Sequence, residues 1–252
     1  MKQALLISAI FFSLGMYAQG NVLATAEIAN SEKMTTYSLN EVVVNCPGEI
    51  LLGEFNDKSR KRQGLGKEAY YFENTIGEGA ALKAFLFKVD RAKYNTKLHV
   101  RFYEKKEYMQ DIYVDNDTIS YPSYIPGNEI KTKEITVNID PGQKGVVEVD
   151  LSEYEVIMPQ NGLFVSLELV GYFDDSGNAK KGIKFKDFTR IDFHPTTKEN
   201  YCGWAEVYGR KDSGFWKNCN KSIKADFKYS FKKEPSKSIL VAPNFGLKVV
   251  LK

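Results

Sequence analysis

Between residues 81 and 172, one short segment after another alternates apolar with polar residues, and this pattern constrains the fold most. The segments lie at residues 82–89, 97–103, 135–139, 147–151 and 163–169. Because successive side chains of an extended strand point to opposite faces, the alternation predicts strands with one buried face. Turn residues such as Pro141-Gly142 separate the segments. The chain is therefore predicted to be all-β, an antiparallel β-sandwich of jelly-roll-like type.

Shorter strands are predicted at residues 37–44, 50–55 and 69–73, and two other segments bear on the sheets and their connections. Residues 224–231 place Ala225, Phe227, Tyr229 and Phe231 in alternation with polar residues, which predicts one more half-buried strand. Residues 107–128 are irregular and rich in tyrosine, so we interpret them as a long decorated loop. No 3.6-residue apolar period persists over three turns, and no helix is predicted.

The N-terminus has the pattern of a secretory signal peptide. Lys2 precedes the apolar run 4–12, and small residues lead to Ala18, after which cleavage would leave Gln19 first. The apolar run is shorter than the roughly 20 residues that a spanning helix needs. We therefore expect an exported protein without stable membrane insertion, either periplasmic or at the cell surface or extracellular. The predicted layout is residues 1–18 signal peptide, 19–36 flexible lead-in and 37–252 a single β-sandwich domain.

Charge and motif content narrow the function classes. A formal net charge of +3 does not indicate a nucleic-acid or membrane partner. The sequence has no Gly-x-Ser-x-Gly elbow, phosphate-binding loop or dinucleotide fingerprint, so we predict no enzymatic activity, no catalytic residue and no cofactor. A glycan-active hydrolase using two of Glu148, Asp150 and Glu168 stays open as an alternative, since glycosidases use paired carboxylates.

Metal ligands are sparse in this chain. His99 and His194 are its two histidines, too few for a typical zinc site even with Asp192 beside His194. Asp174, Asp175 and Asn178 offer oxygen ligands that calcium would accept, although the same residues commonly form turns. We predict no metal and leave a structural calcium ion open.

Three cysteines permit one disulfide in an exported protein. Cys202 and Cys219 flank a glycine-rich segment, and we predict that they pair with each other. Such a loop closure would stabilise the fold by about 3 kcal/mol, mainly through the unfolded state. Cys46 follows an apolar run and is expected to be a buried, free cysteine.

Aromatic side chains are the remaining binding signal. Tryptophan and tyrosine rings stack on sugars and anchor protein partners, although most aromatic residues of a sandwich fill its core. The predicted ligand-binding residues are Tyr108, Tyr113, Tyr121, Tyr124, Trp204 and Trp216.

Several short phrases together resemble a known module. Residues 38–44, Ser-Leu-Asn-Glu-Val-Val-Val, are similar to the phrase that follows the carboxypeptidase-regulatory-like domain in exported proteins of Bacteroidetes-type bacteria. Further phrases that resemble the β-sandwich downstream of it lie at residues 98–103, 126–130, 147–154, 163–168 and 213–217. The regulatory domain itself has no counterpart, since residues 19–37 are too few to hold one. The resemblance implies a β-sandwich associated with the cell envelope, and it transfers no catalytic residue.

These observations favour an exported, non-enzymatic module that recognises a glycan or an envelope protein through the 107–128 segment and nearby aromatics. The alternatives are the glycan-active hydrolase and a purely structural envelope protein. A binding module predicts exposed aromatics along a groove, whereas a hydrolase predicts two close carboxylates in a cleft.

Overall fold

The part of the chain that the structure describes forms two antiparallel sheets, one α-helix and two short 3-10 helices at Ser152–Tyr154 and Phe185–Asp187. A computed structural model describes residues 48–56, 61–114, 117–206, 214–231 and 240–251. The strands are β1 (Glu49–Gly53), β2 (Lys61–Gly64), β3 (Lys67–Phe72), β4 (Ala80–Arg91), β5 (Asn95–Val114), β6 (Asp117–Ile139), β7 (Gly145–Asp150), β8 (Leu163–Phe173), β9 (Arg190–Pro195), β10 (Tyr201–Glu206), β11 (Gly214–Asn218), β12 (Val241–Pro243) and β13 (Phe245–Leu251). The helix α1 spans Cys219–Phe231.

The strands assemble into a sandwich. One sheet has the order β1-β13-β4-β9-β12, with β7 paired to β4 and β2 paired to β9. The other has the order β11-β10-β3-β8-β5-β6. Each strand pairing among the described residues is antiparallel. The predicted fold class is confirmed.

The core lies between the two sheets. Phe85, Phe87 and Val89 of β4 point inward from the seven-stranded sheet, as their spacing predicts. Val165 and Leu167 of β8 face them from the six-stranded sheet. The largest fully buried side chains are Tyr70, Phe72, Phe85, Phe87, Phe102, Phe164, Phe193, Phe245, Leu65, Leu98, Ile139 and Leu151.

The segment interpreted as a long loop, residues 107–128, is instead part of a β-hairpin. Strands β5 and β6 pair continuously from Thr96↔Ile139 to Val114↔Asp117. The register shifts between Val100 and Phe102 and again between Tyr103 and Lys105. Bulges of this kind bend a strand, so the outer half of the hairpin leaves the direction of the sheet. We call this outer half, residues 105–114 and 117–126, the hairpin arm.

The strand predicted at residues 224–231 is wrong, because these residues belong to helix α1. Asn218 caps the helix: its Oδ1 accepts a hydrogen bond from the backbone N–H of Lys221 at 3.0 Å, the usual geometry at a helix start. The apolar residues Ile223, Phe227 and Phe231 are four apart, a spacing that fits both a strand face and a helix face. Among the described residues, no helix has the length and apolarity that a membrane crossing needs.

Candidate functional site

The outer face of the six-stranded sheet carries a second apolar cluster, separate from the core. Alternation along β3 sends Tyr70 and Phe72 inward and Ala69 and Tyr71 outward. The same alternation on the neighbouring strands completes the cluster, which contains Ala69, Tyr71, Tyr103, Phe164, Cys202 and Trp216. We call this cluster the aromatic layer. A sheet face of this kind must be covered by other residues or must bind something.

The hairpin arm covers part of the aromatic layer and is held there by hydrogen bonds. The ring of Tyr124 lies 5.2 Å from that of Tyr71 and 6.1 Å from that of Phe164. The Nδ2 group of Asn218 donates to the backbone oxygen of Tyr124 at 3.2 Å. Lys221 of α1 donates to the backbone oxygen of Pro122 at 2.8 Å. The arm and the helix therefore form one support for Tyr124.

Beside Tyr124 lies a cleft of about 430 Å³, which we call the Tyr124 cleft. Its lining residues are Leu52, Gly53, Tyr70, Tyr71, Phe72, Glu73, Thr75, Tyr124, Thr197, Lys198, Glu199, Asn200 and Lys224. Glu73 and Lys198 are exposed at its rim, and the hydroxyl of Tyr124 donates to Oδ1 of Asn200 at 3.0 Å. The cleft thus combines an aromatic wall with amide, carboxylate and ammonium groups.

Electrostatics inside the cleft fix the protonation of its main groups. Burial, followed by the nearby charge of Glu199, raises the pKa of Tyr124 well above its usual value, so its hydroxyl stays neutral. Burial alone would raise the pKa of Glu199. Ion pairs with Lys224 at 2.7 Å and Lys221 at 3.3 Å outweigh burial and lower it. The cleft therefore offers a neutral hydroxyl beside an ionised carboxylate.

On its other side, Tyr124 lines a second cleft of about 400 Å³, together with Glu107, Tyr108, Met109, Pro122, Ser123 and Lys221. Tyr108 donates a hydrogen bond to the side-chain oxygen of Gln110, and Gln110 donates in turn to Ser222 of α1. The hydroxyl of Tyr121 lies 3.2 Å from the same Ser222 hydroxyl. Burial raises the pKa of Tyr108 to about 12. These two tyrosines dock the arm on the helix.

At the opposite end of β3, two tryptophans meet Lys67. Trp204 and Trp216 face each other across the β10–β11 pairing, with ring centroids 5.4 Å apart and planes at 83°. The ammonium of Lys67 lies 4.2 Å from the Trp204 centroid and 5.1 Å from the Trp216 centroid. It also lies 3.2 Å from Oε2 of Glu168. We call these four residues the tryptophan corner.

Glu168 is fixed from its other side. Its Oε1 accepts hydrogen bonds from the hydroxyl of Tyr103 at 2.8 Å and from that of Ser166 at 2.9 Å. The Nε of Arg101 approaches its Oε2 at 3.7 Å. The carboxylate is therefore held in place without Lys67.

The structure brings together three of the predicted ligand-binding residues. Trp216 belongs to the aromatic layer, Trp204 packs on it, and Tyr124 packs against the same layer from the arm. Tyr108 and Tyr121 face helix α1 instead, and the side chain of Tyr113 lies outside the described residues.

Other contributors to these sites were missed at the sequence level. They are Lys67, Tyr71, Glu73, Lys198 and Glu199. For Lys67 and Tyr71 the sequence does hold a signal, because strand alternation places both on the same face of β3 as Ala69.

The predicted Cys202–Cys219 disulfide is not formed in the structure, where both cysteines are free thiols. Cys202 points outward into the aromatic layer and lies 3.7 Å from the backbone oxygen of Tyr124. Cys219 packs against the core side, where a Cβ added at Gly203 would lie 3.2 Å from its sulfur. The two thiols thus lie on opposite faces of the sheet. Cys46 lies outside the described residues.

The carboxylates considered for hydrolysis lie on different sheets. Glu148 and Asp150 belong to β7 of the seven-stranded sheet, where Glu148 pairs with Lys248 at 2.8 Å. Glu168 belongs to β8 of the six-stranded sheet. Glu168 therefore meets neither of the other two, and Glu148 and Asp150 share an exposed face of β7 that lines neither cleft, whereas Glu73 and Glu199 line one cleft.

The residues considered as metal ligands have other partners. Oδ1 of Asp174 accepts backbone N–H groups of Ser176 at 3.0 Å and Asn178 at 2.8 Å, which closes a turn. His194 lies 3.0 Å from Glu54. Within the described residues, no three His, Cys, Asp or Glu side chains gather as a metal site would require.

Comparison with protein families and with curated proteins finds no match for this chain. Among solved structures, the chain is similar to the crystal structure of the cysteine protease and lectin-like domains of Cwp84, a surface layer associated protein of Clostridium difficile. The two share 7% sequence identity with a TM-score of 0.39, over 82% of this chain and 37% of that one. The chain thus spans little more than a third of that neighbour, and a likeness at this level assigns no function.

Proposed function

We propose that this chain is an exported, non-enzymatic binding module and that it recognises a glycan in the Tyr124 cleft. The observation that carries the proposal is the pairing of an aromatic wall, Tyr71 and Tyr124, with polar groups of opposite charge at the rim. Sugar rings have an apolar face and a hydroxyl periphery, so a cleft with both kinds of surface fits them. The location proposed is the periplasm or the cell surface, supported by the signal-peptide pattern of residues 1–18 and by the resemblance of residues 39–231 to envelope modules.

The first experiment is a glycan array probed with the mature chain that begins at Gln19. Each glycan that binds is then titrated against Tyr124→Leu and Lys198→Ala. Each variant is expected to weaken binding by about tenfold, because one charged hydrogen bond or one aromatic contact contributes about 1–2 kcal/mol. Lys131→Ala, an exposed change on β6 at a residue that lines neither cleft, serves as the control and should bind like the wild type.

Two outcomes would contradict the proposal. If no glycan on the array binds reproducibly, the ligand is not a glycan. A specific envelope protein captured in a parallel pull-down would then identify a protein partner instead. If all variants bind the glycan equally well, the binding site lies outside the Tyr124 cleft. Export is tested separately: the protein recovered from the periplasmic or culture fraction should begin at Gln19.

A second candidate is a glycan-active hydrolase, favoured by one observation. Glu73 and Glu199 line the same cleft, and both carboxylates act on the pKa of Tyr124. Paired carboxylates in a cleft are what glycoside hydrolysis requires. A hydrolase predicts release of new reducing ends from a bound glycan, abolished by Glu199→Gln while binding persists. A binding module predicts no release by either form.

A further inference from the structure

We propose that the tryptophan corner is a binding site for an alkylammonium group and that Lys67 is its resident, exchangeable occupant. Three features of a cation site meet here. Two indole rings stand at 83° to each other and form two walls, and the ammonium lies within 6 Å of both ring centroids. Glu168 supplies a negative charge at 3.2 Å. Aromatic walls with a carboxylate are the arrangement that recognises ammonium ligands.

The walls and the carboxylate are held in place without Lys67. Trp216 is buried in the aromatic layer and contacts the ring of Tyr103 at 6.0 Å. Tyr103 and Ser166 fix Glu168 through its other oxygen. A Cβ at Gly214 would lie 2.3 Å from Nε1 of Trp204, so the indole rests directly on the backbone of β11. If Lys67 moves away, the remaining residues still form a cation site.

Lys67 can leave, and a ligand can reach the site. The side chain of Lys67 is 29% exposed and Trp204 is 37% exposed, so both border solvent. The ammonium of a lysine sits at the end of a flexible four-carbon stem, and outside the corner it regains full hydration. A ligand that carries its own ammonium would replace both the cation–π contacts and the ion pair to Glu168. The exchange keeps the charge of the site unchanged.

The probe is tetramethylammonium chloride, titrated at constant ionic strength with sodium chloride. The chain contains two tryptophans and both lie in the corner, so the fluorescence reports on this site. Tetramethylammonium should quench the fluorescence of Lys67→Ala saturably, with a dissociation constant at least tenfold lower than for the wild type. Adding Trp204→Leu or Glu168→Gln to that variant should weaken its affinity for tetramethylammonium at least fivefold. Tert-butanol, a neutral molecule of the same shape, should give no saturation.

The opposite results would overturn the proposal. They are a Lys67→Ala protein that stays folded by circular dichroism without saturable quenching, or one that responds equally to tert-butanol. If the alanine variant does not fold, Lys67→Gln is titrated in the same way and judged by the same outcomes. An oligosaccharide of 2-amino-2-deoxyglucose and soluble phosphocholine then distinguish an amino sugar from a choline head group as the source. The site is separate from the Tyr124 cleft, so either proposal can fail alone.

Discussion

Replacement of Glu68 by glutamine should stabilise the protein at neutral pH. Glu68 lies on β3 with its side chain on the core side, where it is 6% exposed. The hydroxyl of Tyr201 donates to its Oε2 at 2.6 Å. Burial nevertheless dominates and raises the pKa of Glu68 to about 7, because a carboxylate loses its hydration there.

The magnitude follows from linkage between protonation and folding. The difference between about 7 and the ordinary value of 4.5 corresponds to about 3 kcal/mol, since one pKa unit is worth about 1.4 kcal/mol. The folded state binds the proton more tightly than the unfolded state. This stabilisation is therefore fully present below about pH 4.5 and is lost as the pH rises through 7. Glutamine cannot ionise, so the stability of the Glu68→Gln variant does not fall in this way as the pH rises.

The assay is urea unfolding followed by tryptophan fluorescence at pH 5 and pH 8. The wild type should lose about 2–3 kcal/mol of its free energy of unfolding between the two values, relative to Glu68→Gln. Other titrating groups are common to both proteins and cancel in this comparison. Glu148→Gln is the matched control, because it replaces a half-exposed carboxylate on the other sheet and leaves the buried Glu68 in place.

Two results would refute this reasoning. Parallel pH dependences for the wild type and Glu68→Gln would show that the carboxyl does not titrate in the window given. A wild-type stability that rises from pH 5 to pH 8, relative to the variant, would show that the folded state favours the charged form.

The remaining predictions concern β11, the helix start and the thiols. Gly214→Ala should displace the Trp204 indole, which its Cβ would overlap, and shift the tryptophan fluorescence; an unchanged spectrum contradicts this contact. Asn218→Ala should lower the free energy of unfolding by about 2–3 kcal/mol, since it removes a helix cap and two partly buried hydrogen bonds; a urea midpoint equal to that of the wild type would contradict this prediction. Cys202 should resist thiol reagents until urea unfolds the chain, because burial raises its pKa. Peptide mass mapping should find no bond from it to Cys219.

Strict alternation allowed the central strands to be predicted because each has one face in the core. Phe85 and Phe87 on β4, and Val165 and Leu167 on β8, are buried as the period of two requires. In these strands the alternate apolar residues on the inner face all lie in the space between the sheets. The local sequence pattern and the tertiary packing therefore agree on which face of each strand is buried.

The strand prediction for α1 is wrong because the spacing of its apolar residues fits both the strand period of two and the helical period of 3.6. Phe227 and Phe231 are four apart, which is two strand repeats and roughly one helical turn. The deciding signal is Asn218, whose side chain caps the helix. The buried contacts of α1 are largely polar, through Asn220 and Ser222, so an apolar stripe does not mark its docked face.

The candidate sites depend on register, which the sequence does not show. The tryptophans were selected for their residue type, but only the pairing of β10 with β11 sets Trp204 opposite Trp216. Lys67 joins them because β3 is the next strand. Likewise, Tyr124 comes under the charge of Glu199 where the hairpin arm packs on the aromatic layer. Each is a contact between segments distant in sequence.

The two candidate sites have a common physical origin in the six-stranded sheet. Its inner face closes the core, and its outer face is apolar as well, since the aromatic layer lies there. The hairpin arm covers part of this layer through Tyr124 and Ile125, and β11 and α1 hold the arm there through Asn218 and Lys221. The cover ends at Tyr124 on one side and at the tryptophan corner on the other. Aromatic rings therefore meet solvent and charged residues at those two margins, and a ligand would be recognised there without any cost in core packing.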